Sequence, residues 1–149
     1  MLYYARAIEY SMLVALNDIG IDQSYPTQST MKKVKQPLDY AATYPNAVIR
    51  YYASDMILHA ESDAAYLVLP KARSRIAGYF YLSSKPQTSK ISLTQSQSNG
   101  LILIECKTLK DVVAPTAEAE TGGLFLNGQT AVIIRLILEA LNHKQPRLH

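Results

Sequence analysis

The chain has 149 residues, 48% hydrophobic and 18% charged, which suits one globular domain or a domain with a fragment of a neighbour. Six Gly and seven Pro exclude collagen-like and low-complexity classes. Fifteen Lys and Arg against twelve Asp and Glu leave a charge of +3, a basic excess that permits nucleic-acid contact without arguing for it.

The first third is expected to be helical. Leu2, Ala5, Ile8, Met12, Leu13 and Leu16 recur at helical spacing, and Gly20 with the Gln23–Pro26 stretch ends the pattern. Arg6 and Glu9 interrupt this opening stretch, which makes it a poor signal peptide. Ser29 or Thr30 is placed to cap a second helix carrying Met31, Val34, Leu38 and Ala41 or Ala42. Pro37 falls inside that helix, where the missing N–H and the ring clash cost about 3 kcal/mol, so a kink or a damaged helix is expected. Tyr44-Pro45-Asn46 closes the region.

From Val48 the pattern becomes extended. Met56–Ala65, Gly78–Leu82 and Leu101–Cys106 read as strands, and Ser83–Asn99 reads as a long polar hairpin loop. Parallel neighbours need a long crossover, and none separates the first two runs, so an antiparallel meander is expected. A last helix spans about Thr116 to Leu141, with a stripe of Ala117, Leu124, Ala131, Ile134, Leu138 and Leu141. Pro115 suits its first turn, and Glu118 and Glu120 complement the positive helix start. Arg135 and Glu139 break the apolar run here, so no spanning helix is expected. The fold class is α+β, divided into a helical segment, 1–47, and a strand-and-helix segment, 48–149.

Chemistry can rest on few residues. Cys106 is the sole cysteine, no Cys/His spacing fits zinc, and no Gly-rich phosphate loop or Ser/His/Asp triad occurs. The expected compartment is therefore reducing and intracellular, cytoplasmic or nuclear, with no membrane partner. Glu120 lies three residues after Ala117 and four before Leu124, on the expected buried face. A carboxylate there needs a partner or a cation, or else it snorkels to solvent as Glu118 does. Asp63 stands in a strand-like run, where aspartate is disfavoured, and either meets Glu120 at a divalent cation or marks a strand end facing water. Lys71, Arg73 and Arg75 form a compact basic cluster that could hold phosphates or simply be solvated. His59 and His143 are isolated, and read as packing or surface residues.

These segments resemble the polymerase region of copia-type long-terminal-repeat retrotransposons. The likeness runs through Leu2-Tyr3-Tyr4-Ala5-Arg6-Ala7, Val34-Lys35-Gln36-Pro37-Leu38-Asp39-Tyr40 and Ile49-Arg50-Tyr51-Tyr52-Ala53-Ser54-Asp55-Met56. It continues in Ser62-Asp63-Ala64-Ala65-Tyr66-Leu67, Ala72-Arg73-Ser74-Arg75-Ile76-Ala77-Gly78-Tyr79-Phe80 and Ala117-Glu118-Ala119-Glu120. The resemblance implies the end of a reverse transcriptase followed by a partial ribonuclease H-like domain: the meander and long helix, without the remaining strands. It carries two metal-ligand roles to Asp63 and Glu120, with Glu118 the neighbouring non-ligand.

The implied activity is hydrolysis of the RNA strand of an RNA–DNA hybrid with Mg²⁺ or Mn²⁺, the remainder of a polymerase polyprotein being a further partner. The family's third acid lies on a following strand, and the sequence reaches His149 without a replacement carboxylate. Ala114-Pro115 stands where the family has a serine pair, and the reverse transcriptase's own aspartates are absent. The expectation is therefore a truncated fragment with impaired cleavage. Its alternative is a noncatalytic remnant that binds nucleic acid or serves a structural role.

Overall fold

The computed structural model describes residues 1–84 and 99–146. The chain forms two compact units, Met1–Ile49 and Arg50–His149. The first unit comprises α1 (Leu2–Ala7), a 3₁₀ turn (Tyr10–Met12), α2 (Leu13–Ile21), a second 3₁₀ turn (Asp22–Ser24) and α3 (Gln28–Thr43).

The single opening helix expected from the apolar spacing is broken at Ile8–Glu9. Glu9 leaves helical geometry (φ −118°, ψ 76°), and its carboxylate accepts the Ser11 amide at 3.3 Å, capping a new turn. Gly20 lies inside α2 instead of ending the helix. Thr27, not Ser29 or Thr30, is the N-cap of α3. The Thr30 amide donates to Thr27 Oγ1 at 3.3 Å and the Thr27 amide to Thr30 Oγ1 at 3.1 Å, a reciprocal capping box. α3 continues through Pro37 without a break, and the ring is buried. Apolar burial of the ring offsets part of the lost hydrogen bond, so the expected damage to the helix does not occur.

The second unit is α+β. Its strands are β1 (Ile57–Leu69), β2 (Arg73–Ser83) and β3 (Leu101–Thr108), all antiparallel, in the order β1-β2-β3. Each strand runs past the C-terminal end of its sequence estimate, and β2 also starts earlier, because polar positions such as Arg73 and Arg75 hold the ladder through their backbone. Asp63 pairs with Ala77 and His59 with Tyr81, and the β1–β2 register shifts between Ala65 and Leu69. Leu67, inside that shift, has φ 51°, and Lys71 and Ala72 in the turn have φ 62° and 53°. Most of the expected polar loop, residues 85–98, lies outside the described residues.

The helix α4 (Thr116–Ala140) packs on one face of β1 and β2 and runs antiparallel to β1. Ala119 joins Ala64, Ile76 and Leu109 in the core, and Asn127 reaches Ser62 further along. Beyond the helix end, Gln145 accepts the Leu58 amide at 2.8 Å and donates to the Met56 carbonyl at 3.0 Å. The buried stripe is Ala119, Gly123, Asn127, Ala131 and Leu138. The expected stripe is corrected at Ala117, Leu124 and Leu141, which are exposed. Small side chains at four-residue spacing let the helix backbone approach the sheet, and a search for large apolar residues passes over them.

α4 is also the one helix among the described residues with the length and composition to cross a membrane. Its inner face is nevertheless committed to the sheet.

Candidate functional site

β1 alternates in the manner of a half-covered strand. Ser62 bonds Asn127 and Ala64 is in the core, so both face α4, whereas Asp63 projects from the opposite face and is exposed. His59 and Glu61 share that second face. The Tyr81 hydroxyl donates to Glu61 Oε1 at 2.8 Å, and the His59 ring stacks on Tyr81 at 5.1 Å and 12°. His59 Nε2 is buried with no hydrogen-bond partner among the described residues. Sequence reasoning set His59 aside as isolated; the period-two alternation with Glu61 and Asp63 was the signal that could have grouped them.

Glu120 is exposed, the alternative in which a glutamate at the helix start reaches solvent. It shares an azimuth with the buried Leu138, five turns further along α4, so it stands at the margin of the sheet-facing stripe. The opposite margin is marked by Gly122, where an added Cβ would lie 3.4 Å from Cδ1 of Leu109, just past β3. Glu120 therefore leans toward the β1 side, and in these first turns the sheet does not cover it. One turn later Gly123 seats on β1: a Cβ there would lie 3.4 Å from Ser62 Oγ and 3.7 Å from the Asp63 carbonyl oxygen. Asp63 thus reaches solvent from the face of β1 opposite α4, and Glu120 from α4 itself.

Glu118 has a separate task. Its Oε2 accepts the Ala114 amide at 2.9 Å. A capping-box glutamate ordinarily takes the amide of the N-cap residue, but the N-cap here is Pro115, which has none.

The basic cluster sits on the β1–β2 turn. Lys71 and Arg73 are exposed and Arg75 is half-buried. Ser74 and Ile76 are buried on the α4 side, so Arg73 and Arg75 share the face that carries Asp63. Ala65 pairs with Arg75 and Asp63 with Ala77, which makes Asp63 and Arg75 diagonal neighbours.

These residues do not fit a two-metal centre. Among the described residues no three His, Cys, Asp or Glu gather where an ion could be held. Two exposed carboxylates, Asp63 on the far face of β1 and Glu120 on α4, leave two dications without enough fixed negative charge. What the arrangement offers is a cationic turn beside a carboxylate edge, suited to contacting phosphate. No family model, no curated protein and no solved structure matches this chain.

Proposed function

We propose that the chain is a partial ribonuclease H-like fragment of a copia-type polymerase region, able to contact RNA–DNA hybrid but not to cleave it alone. The observation that supports this reading is the meander β1-β2-β3 running into α4, with Ala64 and Ala119, the sequence neighbours of Asp63 and Glu120, in one core cluster. The noncatalytic form of the reading is favoured because no third acid joins them among the described residues.

Lys71, Arg73 and Arg75 are the phosphate contacts in this proposal, and binding is sequence-independent and sensitive to salt. Three such contacts give a slope of log K against log salt of about −2 to −3. Fluorescence anisotropy with a labelled hybrid at low salt tests it. Substitution of all three by Ala should weaken binding at least tenfold and flatten the slope. An unchanged slope, or no binding by the wild-type chain, refutes the interface. In the same samples with Mg²⁺ or Mn²⁺, rapid cleavage abolished by Asp63→Asn would refute the noncatalytic reading.

A further inference from the structure

The outer face of α4 is apolar and, among the described residues, has no partner in its own unit. Phe125, Val132, Ile133, Leu136 and Ile137 are between 45% and 65% exposed. Gly128, Gln129 and Ala140 lie among them, and the nearest charges, Arg135 and Glu139, are paired with each other at 2.9 Å on the flank. A surface helix of a self-sufficient fold is normally polar on this side. We propose that this face is a homodimer interface, in which α4 packs antiparallel against α4 of a second copy.

Two observations select that occupant. The first is area. Five large side chains, each leaving on the order of 100 Å² uncovered, with the small residues between them, give roughly 600 Å² per partner. That approaches the ~800 Å² per partner of a standard interface and matches a weak dimer.

The second observation is charge. Glu118 stands on this face at the start of α4, and His143 and Lys144 follow the helix end. Antiparallel pairing about Val132 and Ile133 sets each acidic start against the other copy's basic end and opposes the helix dipoles, whereas parallel pairing sets like against like. The uncharged centre is complementary to itself. A lipid surface fits less well, because the stripe lacks the Lys and Arg rim that anchors an interfacial helix. The inference does not depend on the nucleic-acid reading.

Sedimentation velocity on the full chain from about 1 to 100 µM tests the proposal; a standard-size interface at its weak end dissociates in the micromolar range. The wild type should shift from monomer to dimer, and Ile133→Lys or Leu136→Gln should move the midpoint at least tenfold upward while circular dichroism stays unchanged. Both positions are 59% exposed, so folding does not depend on either.

Orientation is read in a Cys106→Ser background. Val132→Cys, near the two-fold axis, should form a disulfide dimer. Phe125→Cys should not, since its copies stand on the order of 20 Å apart. Cross-linking by both variants would mean a parallel pair and overturn the arrangement. A monomer throughout the range, or flotation with neutral or anionic vesicles that Ile133→Lys abolishes, would overturn the dimer.

Discussion

Asn127 and Gly78 are matched across the helix–sheet interface. A Cβ added to Gly78 would lie 2.8 Å from Asn127 Cγ and 3.0 Å from Phe80 Cε2. Asn127 cannot retreat, because its Nδ2 donates to Ser62 Oγ and to the Ala77 carbonyl, both at 2.8 Å.

Gly78→Ala should therefore cost about 1–3 kcal/mol, the range for overpacking a filled core. Asn127→Ala should cost a similar amount, by leaving buried polar groups on β1 and β2 without a donor. In the double variant the clash is gone, so the combined loss should fall short of the sum by at least 0.5 kcal/mol. Urea denaturation of the four proteins measures this, and strict additivity would refute the match.

Asn99 acts as a surrogate strand. Its Oδ1 accepts the Tyr52 amide at 2.7 Å and the Gly100 amide at 2.8 Å. Its Nδ2 donates to the Tyr52 and Leu82 carbonyls at 2.8 and 2.7 Å. Asn99→Ala should destabilise the second unit by about 2–3 kcal/mol, because buried backbone groups lose their partners. Asn99→Asp should be worse at neutral pH, since a carboxylate then faces two carbonyls. Hydrogen exchange should locate the loss at the Tyr52 amide first.

The β1–β2 turn holds Lys71 and Ala72 in left-handed backbone, which costs a residue with a Cβ roughly 1 kcal/mol. Ala72→Gly should be neutral to stabilising by up to about 1 kcal/mol, because the relief outweighs the added unfolded-state entropy. Gly at a right-handed helical site does the opposite, so Ala41→Gly in α3 is the control. Thermal melts distinguish the two signs.

In the first unit, the ammonium of Lys33 bonds Asp22 Oδ2 at 2.8 Å and holds that carboxyl below its ordinary range, with Thr30 contributing less. Lys33 is raised in turn, chiefly by its hydrogen bond to Asp22. A depressed carboxyl stabilises the folded state above its unfolded pKa, and that support is lost as pH falls through the folded value. A raised lysine supports the fold below its unfolded pKa and loses that support as pH climbs through the folded value. NMR titration should find Asp22 ionising below the ordinary aspartate range, and Lys33→Met should return it toward that range.

The order of elements and the antiparallel meander were legible in the sequence, because strand alternation and the absence of a crossover leave few other arrangements. The face of α4 was not. Leu124 and Leu141 look like core by size, yet Ala119, Gly123 and Asn127 are the residues that touch the sheet. The break at Glu9 was hidden for a related reason: apolar spacing says nothing of a side chain that prefers to cap the following turn. For the site, residue type drew attention to Asp63 and Glu120, but only the fold reveals that Asp63 faces away from the helix that carries Glu120.

Among the described residues β1 pairs only with β2, so beyond Leu58, whose amide Gln145 takes, its other side presents a row of backbone groups to any strand in extended form. Such a row recruits further chains into sheets. Glu61 and Asp63 place negative charge along it, and the left-handed Leu67 and the register shift bend its far end. Those are the devices that discourage stacking in register. Neutralising both carboxylates, by acid or by Glu61→Gln with Asp63→Asn, removes the charge and leaves the bend alone. The same aspartate that invites a metal-site interpretation thus puts charge on the edge at which copies of β1 would add to one another.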